Sequence, residues 1–440
     1  MRRTVLRASL LGPWAKSLLG NDAFMTIAAN AGWLLGDRLV RAALGFVVGA
    51  SVARYLGPDQ FGHFAYVLAF VAFFQALATL GADSIVVRDI ARDPASAPQI
   101  LGSILRLRVV VGAICWTAAV GVMTLLNPGD YQSIKLTAIV GGILVCQAGD
   151  TVDLWFQSQS QSRRTVKAKL VAYLLTNGLK IVLIFVGAPL IAFAFAFLLD
   201  FVAAALGLVL AYRRFQTPRR WSADVERARG LVRQSWPFML SGLSIIVYMR
   251  IDQIMLKQLR GDHDLGIYAA ALPLSQIWQM IPLTLAVSFG PYIARKKIEG
   301  EAAYEAALLH VFRLFGALSI IVSAATAVAA PLVLPLIYGP KYVEATRVLV
   351  IHVFSNVFVA LGLAQSLWLA NERGGGKISV IKTLCGGAVA VAGNAIAIPA
   401  WGARGAASVA VLSFATSAVL SNIVLAPRIF LMQLGLRPAR

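Results

Sequence analysis

Charge is scarce in this chain. Of its 440 residues only 14% are charged, against roughly 25% in soluble domains. Acidic residues are scarcer still, with 20 Asp and Glu set against 40 Lys and Arg. There are three cysteines, Cys115, Cys146 and Cys385, and each falls within an apolar run. Buried cysteine behaves as a small hydrophobe, so neither a disulfide nor a metal centre is expected. No Cys/His spacing fits a metal site. No Walker A sequence occurs, which argues against ATP hydrolysis by this chain. No polar segment is long enough to build an active-site domain, so an enzyme is not expected, and neither is a cofactor.

Hydrophobic residues make up 59% of the chain. They form apolar stretches of about 20 residues, each long enough to span a bilayer. Twelve spans follow, at 26–54, 62–82, 105–126, 134–155, 168–187 and 190–211, then 234–257, 266–291, 308–336, 347–370, 378–399 and 405–427. The fold class is an all-α integral membrane protein. The expected units are an N-terminal cytoplasmic segment 1–23, an N-lobe 24–212, a basic linker 213–233, a C-lobe 234–428 and a tail 429–440.

The net charge of +20 would suit a nucleic-acid binder, but its distribution does not. Basic residues gather in alternate short loops, which is the positive-inside pattern. About 28 of the 40 lie on the side of the termini, including Arg106, Arg108, Lys167, Lys169, seven arginines of the linker, Arg295–Lys297, Arg373, Lys377 and Lys382. Both termini are therefore expected in the cytoplasm. The opening segment, with Arg2, Arg3 and Arg7, is interrupted by Pro13 and Lys16. It reads as an amphipathic segment on the membrane surface rather than a signal peptide.

The two halves resemble each other. Leu56–Tyr66 matches Leu259–Ala269 with one inserted residue, Asn127–Tyr131 matches Tyr338–Tyr342, and Leu154-Trp155-Phe156 matches Leu367-Trp368-Leu369. An offset of about 203 to 213 holds throughout, which marks an internal repeat. Six spans per repeat is even, so both repeats enter from one side. Two parallel lobes then meet at an axis along the membrane normal, with cargo sites near the midplane between them.

Several segments carry a family likeness. Ala53–Gly62, Ala78–Arg88, Asp153–Gln159 and Tyr248–Leu256 with Gly266-Ile267-Tyr268 stand in the order and spacing of the bacterial polysaccharide (O-antigen type) flippases. The chain resembles that family over roughly residues 24–430. The resemblance implies membership of the multidrug/oligosaccharidyl-lipid/polysaccharide exporter superfamily. It implies two pseudo-symmetric six-helix bundles forming a V that opens alternately to each side. It also implies that a polyprenyl-diphosphate-linked oligosaccharide moves from the cytoplasmic to the outer leaflet of the bacterial inner membrane. The sequence departs from related lipid II flippases at Val48, near which those proteins carry an arginine.

Ionisable residues inside the spans cost about 2.5–3.5 kcal/mol each and mark a site by default. In the first span Asp37 and Arg41 share a helix face and Arg38 points elsewhere. Arg41, with Arg38, is a candidate for a diphosphate or acidic sugar. The bland alternative is a neutral pair, with Arg38 snorkelling. Arg250 is the strongest single candidate, and it shares a face with Gln253. Its alternative role is a lobe-to-lobe ion pair with Asp37 or Asp200. Asp252, two residues on, faces away from it. Lys180 and Asp200 are candidates for a pair or for cation coupling. Gln276 and Gln279, near Trp278, offer the amide-and-aromatic mix that holds sugars. Trp155 reads better as part of an interfacial belt.

Two other classes compete with this reading. A cation-coupled drug exporter of the same superfamily would take cationic cargo, which an arginine-lined cavity disfavours. A membrane glycosyltransferase would need an acidic pair such as that in Asp262-His263-Asp264, but the repeat sets this segment opposite Pro58-Asp59-Gln60, in a turn. The expected partners are a lipid-linked oligosaccharide, the bilayer and a coupling sodium ion or proton.

Overall fold

The computed structural model describes residues 22–215, 220–372 and 374–436, leaving aside the side chains of 22–35 and 38. Every regular element among these residues is helical. Ten helical stretches are long and apolar enough to cross a membrane. Two of them, Leu39–Arg92 and Gly375–Leu425, run to 54 and 51 residues. At 1.5 Å per residue each is more than twice the roughly 30 Å hydrocarbon core. Both break at a glycine outside the helical region, Gly57 (φ 75°) and Gly402 (φ 56°). Each is therefore two helices joined at a kink, which gives twelve candidate crossings among the described residues, six in each half.

In the first half, α1 (Asp22–Ala78) supplies two crossings on either side of Gly57, and α2 (Asp83–Arg92) is a short connecting helix. Then come α3 (Ala97–Leu126), α4 (Tyr131–Gly141) continued by α5 (Thr151–Ser158), α6 (Arg163–Phe185) and α7 (Leu190–Arg214). The second half repeats the plan. It comprises α8 (Val225–Arg260), α9 (Asp262–Gln276) continued by α10 (Met280–Glu299), α11 (Glu301–Tyr338), α12 (Ala345–His352) continued by α13 (Ser355–Leu369), and α14 (Gly375–Ala415). The turns at one end of the bundle carry positive-φ glycines in matching pairs: Gly57 and Gly261, Gly129 and Gly339, Gly187 and Gly402. The repeat in the sequence is thus a repeat of backbone geometry.

Local chemistry sets several boundaries. Asp130 caps α4 by accepting from Ser133 N–H at 3.0 Å. Asp224 caps α8 by accepting from the N–H groups of Glu226 and Arg227, both at 3.2 Å. Such caps satisfy donors that the helix cannot. The eighth crossing is interrupted by a 3₁₀ turn at Ile277–Gln279. Pro282 explains this, because it lacks the N–H that would bond to the Trp278 carbonyl four residues back. The seventh crossing behaves differently. Helix α8 keeps helical geometry through Pro237, so proline there does not break it.

The polar stretch 213–233 is less of a linker than its composition suggests. Helix α7 reaches Arg214 and α8 begins at Val225. The chain before α8 is tied to the first half: Trp221 Nε1 donates to Tyr212 Oη at 2.9 Å and Asp224 N–H donates to Ser103 Oγ at 3.0 Å. Leu231 and Met239 of α8 join an apolar cluster with Ile85, Ile90 and Ile104.

The largest apolar cluster runs across both halves. It joins Tyr66 and Phe70 of α1 to Tyr268 of α9 and to Tyr338 and Tyr342. Helices α1 and α9 form the main contact between the lobes, at the end that carries Gly57 and Gly261.

Candidate functional site

Three clusters of polar side chains sit within this apolar framework. The first lies inside the N-lobe, between α1, α6 and α7. Asp37 Oδ1 and Arg41 Nε form an ion pair at 2.8 Å. The Arg41 guanidinium sits 4.7 Å from the centre of the Tyr173 ring, and Tyr173 Oη donates to the Arg41 carbonyl at 3.0 Å. Gly45 makes room for this, since a Cβ there would lie 2.5 Å from Tyr173 Oη. One nitrogen of Arg41, Nη2, is buried without a hydrogen-bond partner. Asp200 accepts from Thr176 Oγ1 at 2.9 Å and acts electrostatically on Lys180 and Tyr173. The Lys180 ammonium lies 5.9 Å from the Phe197 ring centre. Asp37, Arg41, Lys180 and Asp200 therefore share one cluster. The Arg38 side chain lies outside the described residues. Val48 packs with Val52 and Phe193 in an apolar patch.

The second cluster lies inside the C-lobe. Arg250 Nη1 donates to Gln253 Oε1 at 3.4 Å. Neither Asp37 nor Asp200 is its partner, for both are engaged within the N-lobe. Asp252 is buried, accepts a hydrogen bond from Tyr268 Oη, and lies in the electrostatic reach of Arg250. Gln253 is also buried, and its Nε2 has no partner. Tyr248, Asp252, Gln276, His352, Asn394 and Ser413 line a cavity of about 20 Å³, room for one water molecule. Asn394 Oδ1 is buried there without a hydrogen-bond partner. Gln279 is drawn away from this cavity, donating to Asn356 Oδ1 at 3.2 Å. Trp278 stays 37% exposed at the 3₁₀ turn.

The third cluster joins the lobes. His63 Nδ1 lies 3.2 Å from Asp262 Oδ2, and Lys257 Nζ donates to that same oxygen at 2.6 Å. His63 Nε2 lies 3.0 Å from Ser133 Oγ, which donates to Asp130 Oδ2 at 2.7 Å. Gln258 Nε2 reaches across to Tyr66 Oη at 2.9 Å and Asn127 Oδ1 at 3.0 Å. Burial pushes the Asp130 carboxyl up. The two Ser133 hydrogen bonds and the electrostatic influence of His63 and Lys257 outweigh it, so the group sits below the usual carboxylate range. At the centre two glycines touch reciprocally. A Cβ on Gly62 would lie 1.9 Å from the Asp262 carbonyl oxygen, and one on Gly266 would lie 1.9 Å from that of Pro58.

The sequence reading missed much of this. Asp262 reads as a turn residue but ties the lobes. His352 sits in an apolar span as Lys180 does, and it is buried at a polar cluster. Asn394 carries no charge, so nothing flagged it. Two basic residues assigned to cytoplasmic loops are buried. Arg108 pairs with Asp83, and Lys382 donates to Gln365 Oε1 within an amide cluster that includes Asn422 and Gln433. A third, Lys169, is part of α6 and pairs with Asp150 and Asp153 at 2.7 and 2.8 Å. Helix ends extend past the apolar runs, so a loop count overestimates the free cations.

Solved structures share this architecture. An inward-facing multidrug resistance MATE family transporter of the MOP superfamily superposes with a TM-score of 0.71 at 18% identity, covering 89% of this chain and 95% of that one. An outward-facing structure of such a transporter gives 0.62 at 19% identity, covering 94% and 98%. The lipid II flippase MurJ, in an inward closed conformation, gives 0.65 at 11% identity, covering 90% and 89%. The fold is that of the MOP-superfamily transporters: a multi-pass membrane protein of two six-helix bundles set in a V. Residues 27–297 match the family model described as polysaccharide biosynthesis protein, and the chain belongs to that family. None of the curated protein sequences matches it significantly.

Proposed function

We propose that this protein flips a polyprenyl-diphosphate-linked oligosaccharide from the cytoplasmic to the outer leaflet of the bacterial inner membrane, for polysaccharide or O-antigen assembly. Both termini are cytoplasmic in this reading, and the bodies 24–212 and 234–428 rock against each other. The observation that carries it is the pairing of family membership with half-buried arginines inside the spans. Arg41 keeps a buried, unpartnered guanidinium nitrogen, and Arg250 donates to the Gln253 amide at 3.4 Å on its own helix, with Asp252 in its electrostatic reach. Half-buried guanidinium groups with donors left over can take a further anion. A diphosphate accepts bidentate guanidinium bonds well. The Asp37 carboxylate holds Arg41 in place.

Asp252 is the candidate for coupling. Beside its carboxylate, the unpartnered Asn394 oxygen, the Ser413 hydroxyl and the Gln276 amide surround a space the size of one water. Oxygen ligands of this type suit a sodium ion or a hydrated proton. The outward move of two negative charges already gains roughly 4.6 kcal/mol per 100 mV, inside negative. An inward ion would add to that.

The competing reading is a cation-coupled drug exporter, which the MATE neighbours share in fold. Anionic cargo is the discriminator. In proteoliposomes the protein should translocate a polyprenyl-diphosphate oligosaccharide, faster with an inside-negative potential in the export direction. Export of cationic dyes with no lipid-linked sugar translocation would refute the flippase reading.

A further inference from the structure

We infer that the outer face of the N-lobe holds a resident membrane lipid whose headgroup carries two phosphates. The site is the groove between the start of α6 and the end of α7. Its cavity measures about 740 Å³ and opens at the end of the spans where the basic segment 213–233 begins. All four charged side chains that line it are basic: Arg163, Arg164, Lys167 and Arg214. The Arg164 guanidinium is laid 3.8 Å over the Phe215 ring. Stacking fixes its plane and leaves its in-plane N–H donors at the edge. The α6 N-terminus opens into the same place and adds the positive end of a 23-residue helix.

Below the cations the groove turns apolar. Its floor is made of small residues, with Gly207 packed against the Ala168 carbonyl at 3.4 Å from a virtual Cβ. Val171 and Leu210 stand on its walls, 57% and 67% exposed. A cationic head joined to an apolar channel on a membrane-facing surface is the complement of an anionic lipid. Basic pockets between transmembrane helices on the cytoplasmic side take headgroups with several phosphates. Four cations exceed the single charge of a one-phosphate lipid. Every lining residue lies on α6, on α7 or directly after α7, and none comes from the C-lobe, so the occupant is not what the lobes close upon. That favours a resident phospholipid over the transported cargo, and the inference stands apart from the flippase reading.

The test uses the full chain purified in detergent and native mass spectrometry. Cardiolipin, the two-phosphate probe, should be retained as one lipid per protein, at least about tenfold better than phosphatidylglycerol. Each surface cation contributes on the order of 1 kcal/mol, so the double variant R164Q/R214Q should lose retention by about tenfold or more. The variant L210W fills the apolar channel without touching charge, and it should also weaken retention. Both variants must elute from size exclusion as the parent does. If both misfold, retention of cardiolipin by K167Q, on an exposed position, replaces them and should fall about fivefold. Equal retention of phosphatidylglycerol would overturn the site, as would unchanged retention in the variants. Displacement of cardiolipin by equimolar polyprenyl diphosphate would overturn the resident-lipid assignment and make the groove a cargo site.

Discussion

Buried cations make the sharpest residue-level tests. Lys382 is 5% exposed, and the contacts recorded for it are the Gln365 amide oxygen and the Ala418 carbonyl at 3.5 Å. A buried charge held by neutral oxygens is stabilised only while those oxygens stay. Gln365→Leu strips its main acceptor and should cost about 3–5 kcal/mol, the usual penalty for leaving a buried charge uncompensated. Lys382→Met removes the charge at similar volume and should be near neutral. Thermal unfolding in detergent checks both, and a larger loss in Lys382→Met than in Gln365→Leu would contradict this account. Arg250 gives the functional counterpart. A charge-assisted hydrogen bond is worth about 1.5–3 kcal/mol, so Arg250→Ala should cut translocation roughly 10- to 100-fold per inserted molecule. Arg250→Lys should restore part of it, because the charge returns without the planar fork. Wild-type translocation by the Ala variant would remove Arg250 from the site.

Between helices, the contact of α1 with α9 sets the conformation. Gly62 and Gly266 let two backbones approach so closely that no side chain fits. Gly62→Leu should force the lobes apart at this end. Asp59 and His263 face each other across the junction, 3.5 Å apart and largely exposed. Cysteines at those two positions, with Cys115, Cys146 and Cys385 replaced, should cross-link readily and halt transport. Adding Gly62→Leu should reduce the cross-link yield at least several-fold. Undiminished cross-linking would mean the glycines are not the seat of closure. The prolines teach a second lesson about helices. Pro282 coincides with a 3₁₀ interruption and Pro237 with a continuous helix. A missing N–H removes one bond, and whether the helix opens depends on what packs around it.

For the molecule as a whole, orientation is the first thing to test. From the charge asymmetry we propose that the chain between α7 and α8 faces the cytoplasm. A cysteine at Ala223, in an exposed stretch, should resist membrane-impermeant labelling in intact cells and react after permeabilisation. Labelling in intact cells would invert the topology.

Much of this architecture was legible in the order of residues, because the bilayer imposes simple rules. A crossing needs about 20 apolar residues, backbone polar groups must be satisfied within the helix, and loops carry the positive charge on one side. Span number, the two-fold repeat, the family likeness and the ionisable positions in the spans all follow from short stretches of sequence. Even the matched pair Gly57 and Gly261 leaves a local trace. What lies between distant segments does not. That Asp37, Arg41, Lys180 and Asp200 share one cluster depends on how α1, α6 and α7 pack. That Asp262 binds His63, 199 positions away, depends on the lobes closing. Lys382 and Arg108 look like loop cations until helix packing buries them. Hydropathy is a sum over neighbours in sequence, whereas partnership is set by neighbours in space, and only the packed helices bring those together.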